Sequence, residues 1–225
     1  MTADQEKKQA ALEAVKYIKN NMVVGLGTGS TAKHMIEAVG KLVADGMNLT
    51  CVPSSIATEK LAKELGIKIV ALDAIDKIDV TIDGADEFDG KFQLIKGGGG
   101  ALLREKILAW NTKFNIIIAD SSKDVNKLGA FKLPVEVIPF ATKQILTYLE
   151  AEGLQPLQRM QGDALYRTDE NNTILDIDIS GIDDLQGLEI QLLKVPGIVE
   201  TGLFLDTTSL IIVGKEGGPE VKERN

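Results

Sequence analysis

A glycine-rich loop at residues 25–31 holds the first side chains that could do chemistry. It reads Gly-Leu-Gly-Thr-Gly-Ser-Thr and lies between a predicted strand and a predicted helix. Backbone N–H groups and the helix dipole bind anions at such a junction, and the hydroxyls of Thr28, Ser30 and Thr31 add donors. A tight turn whose serine or threonine caps the helix would use the same residues. The loop therefore predicts a phosphate site, with a capped turn as the alternative.

The same loop also matches a dinucleotide-binding pattern. Gly27, Gly29 and Ala32 have the spacing G-x-G-x-x-G/A. NAD binding would need an acidic residue at the end of the second strand, where it holds a ribose hydroxyl. Here the second strand ends at residues 51–55 in Cys-Val-Pro-Ser-Ser, which contains no carboxylate. A small phosphoester is therefore a better ligand for this loop than NAD.

Two carboxylates, Asp83 and Asp86, follow another apolar strand in the stretch Asp-Gly-Ala-Asp-Glu at 83–87. Open α/β sheets bind ligands at the carboxyl ends of their strands, which favours a site here. The pair could handle protons on sugar hydroxyls or ligate Mg²⁺, and a solvated acidic turn would look the same. The phosphatase-type arrangement, an Asp nucleophile two residues before another Asp followed by Gly-Thr, is absent.

Lys96 precedes four consecutive glycines at 97–100, which join a predicted strand to a predicted helix. Four glycines cost backbone entropy, so a plain connection explains them poorly. Exposed N–H groups beside a lysine can stabilise an oxyanion. Glu105 falls in the early turns of the following helix, where it is either a base or a surface glutamate favoured by the helix N-terminus.

The composition limits which side chains can act. The 225 residues contain one histidine, His34, and one cysteine, Cys51. An intrachain disulfide and the usual Cys/His zinc sites are therefore excluded. The base in any proton chemistry is expected to be Asp, Glu or Lys. His34 is expected on an exposed helix face and Cys51 in the core.

The charge balance limits the class of partner. With 25 basic and 33 acidic residues, the net charge is -8 at pH 7, which disfavours nucleic acid and anionic membranes as partners. No apolar leader and no run of about 18 apolar residues is present. We expect a soluble, cytoplasmic protein that gathers an anionic ligand by local donors.

Strands and helices alternate through the first 120 residues. Strands are predicted at 22–27, 49–52, 67–72, 78–82, 92–95 and 114–119, and helices at 4–20, 32–43, 57–65 and 101–110. This alternation predicts an α/β fold, a Rossmann-like and mostly parallel sheet with helices on both faces.

The pattern changes near residue 130. It predicts a strand at 134–139, a helix at 141–152, a hairpin of 164–168 with 173–179, a helix near 183–194 and a strand near 198–204. We expect a smaller α+β domain at 130–204. It would be inserted into a catalytic domain formed by 1–129 and 205–225, to whose sheet a strand at 210–213 returns.

The order and spacing of these motifs resemble ribose-5-phosphate isomerase, type A. The resemblance rests on the loop at 25–31, D-G-A-D-E at 83–87, K-G-G-G-G-A at 96–101, L-R-E-K at 103–106, P-V-E-V-I-P at 134–139 and V-P-G-I-V-E-T-G-L-F at 195–204. It implies an aldose–ketose isomerase of the pentose phosphate pathway that interconverts D-ribose 5-phosphate and D-ribulose 5-phosphate. The resemblance further implies an enediolate intermediate, no metal or other cofactor, and a homo-oligomer, either a dimer or a tetramer.

The resemblance also implies a role for each site residue. The phosphate would be held by Thr28, Gly29, Ser30 and Thr31, with Lys7 and Lys123 as supplementary cations. The sugar would contact two stretches, which comprise Asp83, Gly84, Ala85, Asp86, Lys96, Gly97, Gly98 and Gly99. Within these, Asp83 would assist ring opening, and Asp86 and Lys96 would contact sugar oxygens. Glu105 would move a proton between C1 and C2, while Lys96 and the glycine amides stabilise the enediolate.

Two other functions fit part of the pattern. A magnesium-dependent phosphotransferase or phosphatase could use Asp83 and Asp86, and a chelator would inhibit it. A sugar-phosphate sensor is suggested by fold analogy alone. Such a sensor would need an attached DNA-binding helix pair with a basic face. We expect that neither the acidic termini nor the length of the chain leaves room for one.

Overall fold

Six α-helices and fifteen strands form within residues 1–224, the part of the chain that this computed structural model describes. The helices are α1 (Ala3–Ala14), α2 (Ser30–Ala44), α3 (Ile56–Glu64), α4 (Leu102–Trp110), α5 (Thr142–Ala151) and α6 (Leu185–Leu193). Among these helices of residues 1–224, none has the length and apolar character needed to cross a membrane.

The strands are two to nine residues long. They are β1 (Val23–Leu26), β2 (Thr50–Pro53), β3 (Ile78–Gly84), β4 (Glu87–Phe88), β5 (Leu94–Ile95), β6 (Thr112–Asp120), β7 (Leu133–Val137), β8 (Leu157–Gln158), β9 (Met160–Gln161), β10 (Ala164–Leu165), β11 (Thr173–Ile177), β12 (Ile198–Thr201), β13 (Leu203–Phe204), β14 (Leu210–Gly214) and β15 (Glu220–Glu223).

The chain divides into two compact units. The first comprises Met1–Ala85, Arg104–Asp124 and the chain from Asp206 onward, and the second comprises Asp86–Leu103 and Val125–Leu205. This division differs from the expected domains mainly at 86–103, which groups with the second unit. The reason is strand pairing, since β4 and β5 pair with each other and β5 pairs with β13.

The first unit is built on a six-stranded sheet in the order β15-β14-β6-β3-β1-β2. Five of its strands are parallel, and β15 alone pairs in the antiparallel direction. The α/β fold and the return of the strand at 210–213 are thereby confirmed. The predicted strand at 67–72 is wrong, because this edge segment makes only a single bridge, from Ile69 to Cys51.

Apolar side chains on both faces of this sheet hold the helices. Successive residues of a strand point to opposite faces. On β2, Cys51 lies in a cluster with Ala11 of α1 and Met35 of α2, whereas Val52 packs with Leu108 of α4. Cys51 is fully buried, as expected, and burial raises the pKa of its thiol to about 12.

The second unit contains a four-stranded antiparallel sheet in the order β12-β7-β11-β8. Leu133, Val135 and Val137 of β7 face a core that α5 and α6 cover. The predicted hairpin of 164–168 with 173–179 is wrong. The buried strand β11 needs partners on both edges and pairs with β7 and β8, while the exposed β10 pairs with β9.

Glu136 is a buried carboxyl on the other face of β7. It is 1% exposed, and its Oε1 accepts hydrogen bonds from Thr168 Oγ1 at 2.9 Å and Asn172 Nδ2 at 2.8 Å. Within residues 1–224 its Oε2 has no hydrogen-bond partner. Burial raises the pKa of Glu136 above its ordinary value of 4.5, and the two hydrogen bonds offset part of that rise.

We expect Glu136→Gln to change how stability depends on pH. The folded protein binds the Glu136 proton more tightly than the unfolded chain does, so this group stabilises the fold below pH 4.5 and loses that contribution as the pH rises through the folded pKa. Relative to wild type, the free energy of unfolding of the glutamine variant should therefore rise between acidic and neutral pH. Urea unfolding of both proteins across this range measures the difference, and parallel pH profiles would contradict the expectation.

Candidate active site

The parallel register of β1, β2 and β3 brings the loops that follow these strands to one edge of the first unit's sheet, among them the motifs at 25–31 and 83–87. Leu26 at the end of β1 pairs with Ile82 of β3 on one side and with Pro53 of β2 on the other. The residues that follow each of these positions therefore emerge side by side. This places the 25–31 loop next to Asp83, as the strand ends predicted.

Asp83 fixes the start of this loop. Its Oδ1 accepts hydrogen bonds from the Thr28 N–H at 3.0 Å and from the Gly84 N–H at 2.7 Å, and the residue is 4% exposed. A Cβ added at Gly27 would lie 2.1 Å from the same oxygen. The close approach of residue 27 to Asp83 therefore requires a glycine. The Asp83 carboxylate supports the loop through its hydrogen bond with the Thr28 N–H.

A cluster of hydroxyl groups surrounds Thr28. Thr28 Oγ1 lies 2.7 Å from Ser54 Oγ, donates to Ser55 Oγ at 2.9 Å and lies 3.2 Å from Thr58 Oγ1. Thr58 Oγ1 in turn donates to the Gly27 carbonyl at 2.9 Å. Ser54, Ser55 and Thr58 were not predicted as site residues, although Ser54 and Ser55 follow β2 at the same edge. They position the Thr28 hydroxyl and hold the loop.

The N-terminus of α2 begins inside the glycine loop. Gly29 is the N-cap with a φ of 109°, a left-handed value that favours glycine, and Ser30 is the first helical residue. Both Gly29 and Ser30 are exposed, and Thr31 is half-buried. The ammonium of Lys7 on α1 donates to Ser30 Oγ at 3.1 Å. The N-terminus of the fifteen-residue helix α2, several hydroxyl groups and a lysine ammonium thus lie close together. This combination is suited to binding a phosphate dianion.

Lys123 lies in a short 3₁₀ turn, Ser121–Lys123, directly after β6. Glu6 of α1 ties this turn down, since its Oε2 accepts from the Ser121 N–H at 2.9 Å and from Ser121 Oγ at 2.8 Å. The half-buried Lys123 therefore belongs to the same end of the sheet as Lys7. His34, by contrast, is partly exposed and pairs with Asp4, with Nε2 and Oδ1 3.0 Å apart.

Glu105 lies in the first turn of α4 and is 5% exposed. Ionisable side chains are rarely buried to this extent without a specific reason. The helix is anchored to the first unit's sheet by Leu108, which packs with Val52 and Ile78. The surface-glutamate alternative is therefore wrong for Glu105.

In the second unit, Asp86 meets the four-glycine loop. The Gly98 N–H donates to Asp86 Oδ2 at 2.7 Å, and a Cβ at Gly98 would lie 2.5 Å from Asp86 Oδ1. The neighbouring Glu87 has a different task. Its buried carboxylate accepts from the N–H groups of Gly129 at 2.8 Å and Phe131 at 2.6 Å, and so holds a loop of this unit.

Lys96 is buried, with 3% exposure. Its backbone N–H donates to the Gly202 carbonyl at 2.9 Å, which fixes the end of β5. Its ammonium lies 5.5 Å from the centroid of the Phe204 ring. An aromatic face partly compensates the loss of water around a buried ammonium.

Among residues 1–224, no group of three or more His, Cys, Asp or Glu side chains is arranged to hold a metal ion.

Curated relatives match nearly the whole chain. The family model of ribose 5-phosphate isomerase A (phosphoriboisomerase A) matches residues 50–218. The ribose-5-phosphate isomerase A of Limosilactobacillus reuteri is 52% identical over 217 residues, which cover 96% of both chains. That of Lactiplantibacillus plantarum is 47% identical over 224 residues, which cover 99% of both chains.

Solved structures of the same enzyme share the fold. A D-ribose-5-phosphate isomerase in complex with phospho-erythronic acid has a TM-score of 0.96 and 39% identity, with 100% of both chains covered. Ribose 5 phosphate isomerase A from Neisseria gonorrhoeae has a TM-score of 0.93 and 38% identity, with 100% of this chain and 98% of that chain covered. The chain therefore belongs to the ribose 5-phosphate isomerase A family.

Proposed function

We propose that this aldose–ketose isomerase interconverts D-ribose 5-phosphate and D-ribulose 5-phosphate through an enediolate, with Glu105 as the base and without a metal ion. The observation that carries the proposal is the burial of three charged motif residues, Asp83, Lys96 and Glu105, which are 4%, 3% and 5% exposed. Charged side chains are seldom buried this deeply, because taking a charge out of water costs free energy. These are also the residues to which the family resemblance gives chemical roles.

The phosphate is bound at the start of α2. The backbone N–H groups of Gly29 to Thr31, the hydroxyls of Thr28, Ser30 and Thr31 and the helix dipole supply the donors. The contact between Lys7 and Ser30 supports a role for that lysine, and Lys123 is the second supplementary cation. Because the protein carries a net charge of -8, such local donors have to outweigh an unfavourable long-range field.

The chemical steps need only proton transfers. Asp83 takes the proton of the anomeric hydroxyl and passes it to the ring oxygen as the bond between C1 and that oxygen breaks, and Asp86 and Lys96 hold the sugar oxygens. The Glu105 carboxylate then removes the proton from C2 of the aldose, the C2–H pair moves into a C1–C2 double bond, and negative charge collects on the former carbonyl oxygen. Lys96 and the amides of Gly97 and Gly99 stabilise that charge, while the Gly98 N–H is bonded to Asp86. Glu105 finally returns the proton to C1, and the O2 proton passes to O1, so that C2 becomes the ketone and O1 a hydroxyl group.

A solved relative is bound to phospho-erythronic acid, a phosphorylated sugar acid. We propose that this chain binds the same compound, which makes it a probe of binding that does not depend on turnover. The homo-oligomeric state remains a prediction of the family resemblance, and the cytoplasmic location remains a prediction of the sequence pattern.

The decisive experiment measures ketose formation from ribose 5-phosphate after the protein has been treated with EDTA. We expect the rate with EDTA to stay within about twofold of the rate with added Mg²⁺, because no step is assigned to a metal. A rate that EDTA abolishes and Mg²⁺ restores would contradict metal independence. Release of inorganic phosphate in place of ketose would point to the phosphatase alternative.

A further inference from the structure

Two side chains of the second unit donate hydrogen bonds to the carbonyl groups of the four-glycine loop. Arg159 Nη1 donates to the carbonyl oxygens of Gly97 at 2.8 Å and Gly98 at 3.1 Å. The Tyr166 hydroxyl donates to the carbonyl oxygen of Gly99 at 3.1 Å. Three consecutive carbonyl groups are therefore held by Arg159 and Tyr166.

Fixing these carbonyls also fixes the N–H groups of the loop. A trans peptide is planar, so the N–H of each residue points opposite to the carbonyl of the residue before it. The Gly97 carbonyl faces Arg159, and the Gly98 N–H accordingly points away from Arg159 to Asp86 Oδ2, at 2.7 Å. The Gly98 carbonyl also faces Arg159, so the Gly99 N–H points away from Arg159 as well.

Arg159 is itself held rigidly. Its Nε donates to Asp176 Oδ2 at 2.9 Å and its Nη2 donates to Asp176 Oδ1. Its backbone N–H donates to the Ile174 carbonyl at 2.9 Å, so both anchors lie on β11. The guanidinium carbon lies 5.9 Å from the centroid of the Tyr166 ring. Burial raises the pKa of the Tyr166 phenol, so its hydroxyl remains a donor at neutral pH.

We propose that Arg159 is a positioning residue, which aims the Gly99 amide at the developing enediolate oxygen and, through the Gly98 amide, sets the Asp86 carboxylate for the sugar. This inference rests on the proposed function, because it assumes that the glycine amides stabilise the enediolate. The cationic guanidinium has a second effect. A carbonyl that accepts a charge-assisted hydrogen bond polarises its peptide, which makes the N–H on the other side a stronger donor.

The arrangement requires arginine in particular. Its planar guanidinium presents five N–H donors. Here Nε and Nη2 donate to the Asp176 carboxylate, and Nη1 donates to the carbonyl oxygens of Gly97 and Gly98. A lysine ammonium is a compact charge that cannot reproduce this set of bonds. The glycines are equally constrained, since a Cβ at Gly100 would lie 2.0 Å from the Tyr166 hydroxyl oxygen.

The test replaces Arg159 by methionine and measures kcat and KM for ribose 5-phosphate. We expect kcat to fall about 10-fold to 100-fold, because a misplacement of about 1 Å at a reacting group can cost that much. The KM should change by less than about threefold, since phosphate binding depends on other residues. Arg159→Lys should recover little of the lost kcat, and binding of phospho-erythronic acid shows whether the site still forms.

A milder variant keeps the test valid if Arg159→Met does not fold. Tyr166→Phe removes only the hydroxyl that donates to Gly99, and we expect kcat to fall about threefold to tenfold for this one bond. Lys127→Met is the matched control, because it removes a cation of the same unit that pairs with Asp183 on the surface. Its kcat and KM should equal those of wild type.

The outcomes separate the two proposals. If the folded Arg159 variant keeps its kcat, or loses affinity alone, positioning by Arg159 is wrong. If Arg159→Met is unfolded, a wild-type kcat of folded Tyr166→Phe equally overturns the inference. In either case, a low kcat of Glu105→Gln and Lys96→Met would leave the proposed function standing. If those two variants also turn over normally, the proposed function itself fails.

Discussion

Replacing Glu105 by glutamine is expected to lower kcat by about 100-fold to 10,000-fold, the range that general acid–base catalysis supplies. The amide has nearly the shape of the carboxylate but cannot take a proton from C2. Glu105 is 5% exposed in the first turn of α4, so an isosteric change should preserve the packing around it. The binding of phospho-erythronic acid should therefore stay within about threefold of the wild-type value.

A matched glutamate controls for the loss of charge. Glu59 also lies in the first turn of a helix of the first unit, but on its surface, where its Oε1 pairs with Lys63 Nζ at 2.5 Å. Glu59→Gln should leave kcat and KM unchanged. Turnover of Glu105→Gln at the rate of wild type would remove Glu105 from the mechanism. An equal loss of turnover and binding would assign it to substrate binding.

The sheet-end part of the site could be predicted from the sequence, and the reason is geometric. In a parallel sheet every strand ends at the same edge, so motifs that follow β1 and β3 must emerge as neighbours. The pairing of Leu26 with Ile82 and the hydrogen bond from the Thr28 N–H to Asp83 Oδ1 follow from that rule. The sequence pattern did not show that Asp83 also supports the loop, in addition to its proposed role in ring opening.

The second unit was less predictable because its contacts join distant parts of the chain. The polar stretch at 169–172 has the composition of a hairpin turn, but the buried strand β11 pairs with β7 and β8 instead. The placement of Arg159 against the glycine loop depends on that pairing, since its ion-pair partner Asp176 lies on β11. Sequence patterns describe local periodicity, and they do not specify which antiparallel strands pair.

Glu87 illustrates the same limit at the level of one residue. It follows Asp86 directly and has the same charge, so the motif at 83–87 does not distinguish their tasks. The alternation along the chain sends Asp86 to the glycine loop and Glu87 to the backbone N–H groups of Gly129 and Phe131. Acidic motifs at strand ends thus combine chemistry with loop support.

Replacing Lys96 by methionine is the second variant with a large expected effect. Loss of one donor to an oxyanion typically lowers kcat about 100-fold to 1000-fold, and Lys96 would supply a full positive charge where the enediolate forms. Methionine keeps the length of the side chain and can pack on the Phe204 ring, which lies 5.5 Å from the ammonium.

The separation of rate from binding makes this prediction specific. We expect Lys96→Met to remain folded, while kcat falls and KM changes by less than about threefold. Lys96→Arg should not rescue kcat, because the larger planar guanidinium cannot occupy the place of a compact ammonium. A wild-type kcat for the methionine variant would show that the glycine amides alone stabilise the enediolate. A destabilised protein with reduced kcat would instead assign Lys96 to the fold, through its place between β5 and Phe204.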